Sequence, residues 1–198
     1  MNFKRILAYL IDVTIVSVVV AVLSMINFVN PTQEQYNAAY LEYEEISNQF
    51  LASEADINID PNNMLNEIAP HYYKVQKYLL PRNIIQIFCI IAYFIVFNLL
   101  NNGQTLGKKL MRIKIVANKG KLTWKNYLIR NIILNELLIN VLLCVMVFFI
   151  KDTQFYTFSM ILTYVSATIL IVDVLMMLFR KDKRSLHDIL SNTKVIEV

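Results

Sequence analysis

The chain has 198 residues, 57% of them hydrophobic and 17% charged, with a mean hydropathy of +0.47 and a net charge of +4. A soluble domain carries about a quarter charged residues, and here the charge is confined to segments between long apolar windows, which excludes a soluble globular fold. Gly (3) and Pro (4) are scarce, so turn punctuation is poor and long helices are favoured.

The first window, Ile6–Val29, is interrupted only by Asp12 and a few small polar residues. It is too long for the apolar core of a signal peptide and has no small-x-small cleavage pattern near Asn30, so it reads as a retained span. The segment 31–81 that follows is acidic, with Glu34, Glu42, Glu44, Glu45, Glu54, Asp56, Asp60 and Glu67 against Lys74 and Lys77, and Arg82 just beyond it. Asn30-Pro31 and Asp60-Pro61 each place an N-cap residue before a proline at the first helical position. Tyr36, Tyr40, Tyr43, Ile46 and Phe50 recur at helical steps, and Leu65, Ile68, Tyr72, Val75 and Leu79 do so again, with a kink expected at Pro70. The spacing predicts an extracytoplasmic helical hairpin with an acidic face. It serves either as a solvated cap or as a docking surface for a protein partner.

The second window is Ile84–Leu100. A cytoplasmic loop, 103–126, then begins with Gly103-Gln104-Thr105-Leu106-Gly107-Lys108-Lys109. A phosphate-binding loop needs four residues between its glycines and Ser or Thr after the lysine. Here three residues intervene and Lys109 follows, so nucleotide binding is not expected. The glycines instead let the chain turn at the membrane surface while Lys108 and Lys109 meet lipid phosphates. Arg112–Val116 alternates polar and apolar residues, Asn118-Lys119-Gly120 is a turn, and Lys121–Thr123 resumes, predicting a β-hairpin. Thr193–Val198 has strand-forming residues and is expected to pair with it as a small cytoplasmic sheet. Between these segments lie the third window, Ile132–Ile150, containing Glu136, and the fourth, Phe155–Phe179, containing Asp173. Cys89 and Cys144 sit in apolar runs as packing residues, and no metal or cofactor motif appears.

A bilayer core of about 30 Å takes roughly 20 helical residues. The windows therefore predict an all-α polytopic membrane protein, a four-transmembrane-helix bundle forming one domain over 1–198. Lys4 and Arg5, the acid-free basic loop, and the tail with Arg180, Lys181, Lys183, Arg184 and Lys194 fall on one side. The positive-inside tendency makes that side, with both termini, cytoplasmic. The basic residues follow this topology and imply no nucleic-acid partner. Homo-oligomerisation is compatible with the pattern.

Three carboxyls, Asp12, Glu136 and Asp173, lie inside apolar windows, where each costs roughly 2.5–3.5 kcal/mol if it faces lipid. Arg5 and Asp12 are seven residues apart and share a helix face, as do Asp173 and Arg180. Arg130 stands at the entry to the third window. Such a set can form a structural charge network, or it can hold carboxyls that exchange a proton for a cation.

The motifs Lys4–Asp12, Gly103–Leu110, Leu128–Asn131 and Arg184–Asp188, in this order, resemble the RDD family of bacterial membrane proteins. Arg5 and Asp12 resemble the family's arginine and first aspartate, and Asp188 its second. The resemblance implies a multi-pass protein of the bacterial inner membrane. It also implies either monovalent cation/proton exchange or a non-catalytic accessory role beside other membrane proteins. No set for nucleophilic catalysis stands out, so an enzyme is not expected. The ion-site candidates are Asp12, Glu136 and Asp173; Arg5, Arg130, Arg184, His187 and Asp188 are expected to bracket the tail against the bundle.

Overall fold

The computed structural model describes residues 2–53 and 61–198. Helix α1 (Asn2–Ser24) buries Arg5, Ala8, Asp12, Val16, Val20 and Ser24, one residue per turn along a single face. Its other faces leave Leu10, Val18, Val19 and Val22 exposed. So much bare apolar surface suits hydrocarbon, not water. Helix α2 (Gln33–Ser53) starts two residues after Pro31 and packs antiparallel to α3 (Pro61–Ile90): Thr32 donates to the Tyr78 carbonyl, while Lys74 pairs with Glu42 and Tyr72 meets Tyr43. The Asp60 cap expected from the sequence, like Glu54 and Asp56, lies outside the described residues.

The hairpin and the second span were expected as separate elements. Instead, α3 runs on through Pro70 and Pro81 into a π-helical stretch (Ile91–Phe97) and a closing turn, α4 (Asn98–Leu100). Residues 65–100 thus form one continuous helix that contains an apolar window of membrane-spanning length. Helix α5 (Leu106–Leu110) follows, then strand β1 (Ile113–Ala117).

The third window is not one helix. Helix α6 (Trp124–Leu134) and helix α7 (Leu137–Phe149) meet at an angle of 71°, with Glu136 in the left-handed region at φ 49°. The 13 residues of α7 span about 20 Å, short of a bilayer core of about 30 Å, so a crossing here needs both halves. Helix α8 (Asp152–Phe179) is long and mostly lipid-like on its surface. A short helix, α9 (Leu186–Leu190), leads into strand β2 (Thr193–Glu197). Among the described residues, three helices, or four spans if the bent pair counts as one, are long and apolar enough to cross a membrane.

Strands β1 and β2 pair antiparallel, Ile113 opposite Glu197 and Ala117 opposite Thr193. The tail therefore pairs with the loop as expected, but Lys121–Thr123 forms no strand. The reason lies on the other edge of β1, which is already covered: Ile115 N–H donates to the Gly103 carbonyl at 2.9 Å, and Gln104 Nε2 to the Ile113 carbonyl at 3.0 Å. A Cβ on Gly103 would stand 2.2 Å from the Ile115 oxygen, so this close approach requires glycine. The sheet, the start of α1 and the end of α8 meet at one end of the helix array, tied by Lys4–Glu197 at 3.1 Å and by Asn2 on the Met177 carbonyl.

Candidate functional site

At the sheet end, α1 places Asp12 fully inside the protein. Tyr93 donates to Asp12 Oδ1 at 2.7 Å and Gly107 N–H to the same oxygen at 2.8 Å, while the Thr105 hydroxyl donates to Oδ2. Lys108 Nζ is 3.7 Å from Oδ2 and donates to Thr105 Oγ1 at 3.0 Å. The expected pairing with Arg5 does not form. Thr105 and the first turn of α5 insert beside α1 and bring donors nearer than a guanidinium two turns away. Lys108 is accordingly turned inward instead of lying on the outer surface, while Lys109 is exposed. The look-alike of a phosphate loop does hold an anion with a backbone N–H, a hydroxyl and a lysine. The anion is the protein's own carboxylate.

Arg5 and Arg130 converge on Asp188 from α1 and α6. Arg5 also donates to the Lys183 carbonyl at 2.6 Å, and Arg130 to Thr193 Oγ1 at 2.5 Å. Arg184 caps from outside, on the Asp188 and Thr193 carbonyls at 3.2 and 3.1 Å. Burial alone would raise the Asp188 pKa, but the charges of Arg130 and Arg5 outweigh it and hold the carboxyl well below the usual range. Asp173 does not meet Arg180, which pairs with Asp182 at 2.9 Å. It accepts instead from His187, the backbone N–H and Nδ1 both at 2.8 Å. Burial, with the Arg130 charge adding, lowers the His187 pKa and favours the neutral ring. Ser185, His187 and Asp173 lie within hydrogen-bonding reach, but Ser185 is fully buried and caps α9 through the Asp188 N–H. It braces the turn and presents no open nucleophile. Arg5, Arg130 and Lys108 balance Asp12, Asp173 and Asp188, so this cluster demands no extra cation.

Glu136 lies apart from these groups, at the α6–α7 break. Two carbonyls at the break are answered locally: Tyr9 donates to the Leu134 carbonyl at 2.7 Å and Asn140 Nδ2 to the Asn135 carbonyl at 3.3 Å. Irregular backbone at membrane depth occurs where protein or a water-filled cavity surrounds it. Here Glu136, Asn135, Asn140, Gln86, Arg82 and Ser17 line a cavity of about 310 Å³. It runs along α1 from Tyr9 to Val20, about 16 Å. Among the described residues no hydrogen bond or ion pair engages the Glu136 carboxylate. A second cavity, of about 370 Å³, lies on the sheet side and reaches Asp173 and His187. Tyr9, Leu134 and Leu170 border both.

The sequence brings out Arg5, Arg130, Arg184, His187 and Asp188, which the structure gathers at one place. Tyr93, Thr105 and Lys108 are missed as the partners of Asp12, and Thr193 as a partner of Arg130 and Arg184, although the donors clustered in Thr105–Lys108 were a usable signal. The three carboxyls do not share a site: Asp12 is enclosed by donors, Asp173 by His187, and Glu136 opens on a cavity. Among the described residues, no three His, Cys, Asp or Glu gather to hold a metal.

Long apolar helices with buried polar seams, one of them broken beside a polar cavity, define an α-helical membrane protein. The RDD family profile matches residues 2–192, nearly the whole chain, and the chain belongs to the RDD family. No curated protein and no solved structure matches it.

Proposed function

We propose that the chain crosses the bacterial inner membrane four times with both ends in the cytoplasm, and that it exchanges a proton for a small monovalent cation at Glu136. The observation that carries this reading is the Glu136 carboxylate at a helix break, without a partner among the described residues and facing a polar cavity. A carboxylic acid there releases its proton as the cation takes its place, and the reverse step restores the acid. Asn135, Asn140 and Gln86 supply neutral oxygens beside it, which suits a partly dehydrated cation better than the ring of donors around Asp12. Broken helices of this kind are how transporters bring carbonyls and side chains to an ion near mid-membrane. Asp173 with His187 lines the second cavity and would pass protons on the cytoplasmic side, with Tyr9, Leu134 and Leu170 as the partition.

Purified protein in sealed vesicles with an imposed pH gradient tests this. Adding sodium or potassium should dissipate the gradient with the wild type and fail to do so with Glu136→Gln, at equal protein incorporation. Flux unchanged in Glu136→Gln, or absent from the wild type, removes the proposal.

A further inference from the structure

The second cavity differs from the first in its walls and its opening. Helices α1 and α8 flank it yet scarcely touch, joined at the sheet end through Asn2 Nδ2 on the Met177 carbonyl at 3.1 Å. Ile6 of α1 and Val174 of α8 line it and are 41% and 44% exposed, so the slot opens sideways between two spans. Leu134, Leu170 and Met177 make an aliphatic wall, while Arg5, Lys108 and Arg130 make a basic one.

The charge presented to the cavity is one-sided. Asp12 and Asp188 sit behind the cations, fully buried, with their oxygens engaged by Tyr93, Thr105, Gly107, Ser185 and the arginines. Asp173 is the carboxylate on the lining, and His187 holds both its oxygens. Burial lowers the Lys108 pKa to about 8; Asp12 opposes that fall, while Arg130 and Arg5 add to it. On the lining itself three cations face one carboxylate, while the two that balance the cluster, Asp12 and Asp188, lie behind the wall.

We propose that this slot admits an anionic phospholipid from the surrounding bilayer, its phosphate meeting Arg5, Arg130 and Lys108 and its first acyl methylenes lying along Leu170, Val174 and Met177. Basic pockets between spans recognise anionic head groups in this way. The lateral opening favours a lipid already in the bilayer over a solute arriving from water. The inference does not depend on exchange at Glu136.

Native mass spectrometry of delipidated protein, titrated separately with phosphatidylglycerol, phosphatidylcholine and oleate, tests it. The wild type should take one phosphatidylglycerol at concentrations where the other two do not bind. Arg130→Gln should weaken that adduct by about fivefold, but Arg130 also braces Asp188, so a second variant separates binding from folding. Val174→Trp fills the slot from its rim without touching a charge and should abolish the adduct. Val172→Trp, exposed on α8 but outside the lining, should keep it. Equal occupancy by phosphatidylcholine, preference for oleate, or an adduct that survives Val174→Trp overturns the proposal.

Discussion

Gly107→Ala is the smallest change that should break the Asp12 site. The added Cβ would stand 2.3 Å from the Ala8 carbonyl oxygen and 2.9 Å from Asp12 Oδ1. Ala8 is backbone of a packed helix and cannot give way cheaply. Restoring an ordinary C···O separation of about 3.3 Å requires the loop to retreat by about 1 Å. That stretches the Gly107–Asp12 hydrogen bond from 2.8 Å to beyond hydrogen-bonding range, and it draws Thr105 away as well. Hydrogen bonds to a charged group contribute about 1.5–3 kcal/mol each, so losing two costs about 3–6 kcal/mol. The control is Gly120→Ala. A Cβ there meets nothing within 4 Å, although φ is +78°, and the backbone strain costs on the order of 1 kcal/mol. Thermal unfolding in detergent, followed by helical circular dichroism, should show a large drop for Gly107→Ala and a small one for Gly120→Ala. Equal melting of the two variants would refute the claim that the loop is docked on α1 through Asp12.

Asp188→Asn should leave two buried guanidinium groups without their anion and cost about 3–5 kcal/mol, read by the same melt. Because the folded pKa of Asp188 lies below its unfolded value, its contribution is complete at neutral pH. It is lost only as pH falls below the ordinary carboxylate range of about 4. His187 acts at higher pH: its folded pKa is below the unfolded value of about 6.5, so the stability it gives is present above that value and declines as pH drops through it. His187→Asn keeps a donor for Asp173 and should flatten the melting profile between about pH 7 and pH 5; a profile as steep as the wild type's would count against a neutral His187.

The four apolar windows, the pairing of the tail with residues 113–117 and the gathering of polar groups at the sheet end were all legible in the sequence. Periodicity and composition report local surroundings, and these features are local or follow from the order of segments. The Arg5–Asp12 and Asp173–Arg180 pairings rested on helix geometry within single elements. Tertiary partners displaced them: the 105–108 loop for Asp12, His187 for Asp173, and Asp188 for Arg5. The break at Glu136 was hidden because an apolar average over Ile132–Ile150 does not register where the backbone turns. Its trace was Asn131, Asn135 and Asn140 around one carboxyl, side chains able to satisfy a freed carbonyl. The continuity of α3 was hidden because the acidic segment 31–81 and the window Ile84–Leu100 differ in composition and read as separate elements, although a long helix tolerates the N–H lost at Pro70 and Pro81 where neighbouring groups or solvent answer the carbonyl.

The claim on which the functional account turns is that one carboxyl, Glu136, carries the proton and the cation in turn. Infrared difference spectroscopy of the protein in lipid, with and without added sodium or potassium, measures this directly. Adding the cation should remove one protonated-carboxyl band in the wild type and in Asp173→Asn, and should change nothing in Glu136→Gln. A band that persists on cation addition, or that still disappears in Glu136→Gln, contradicts the account.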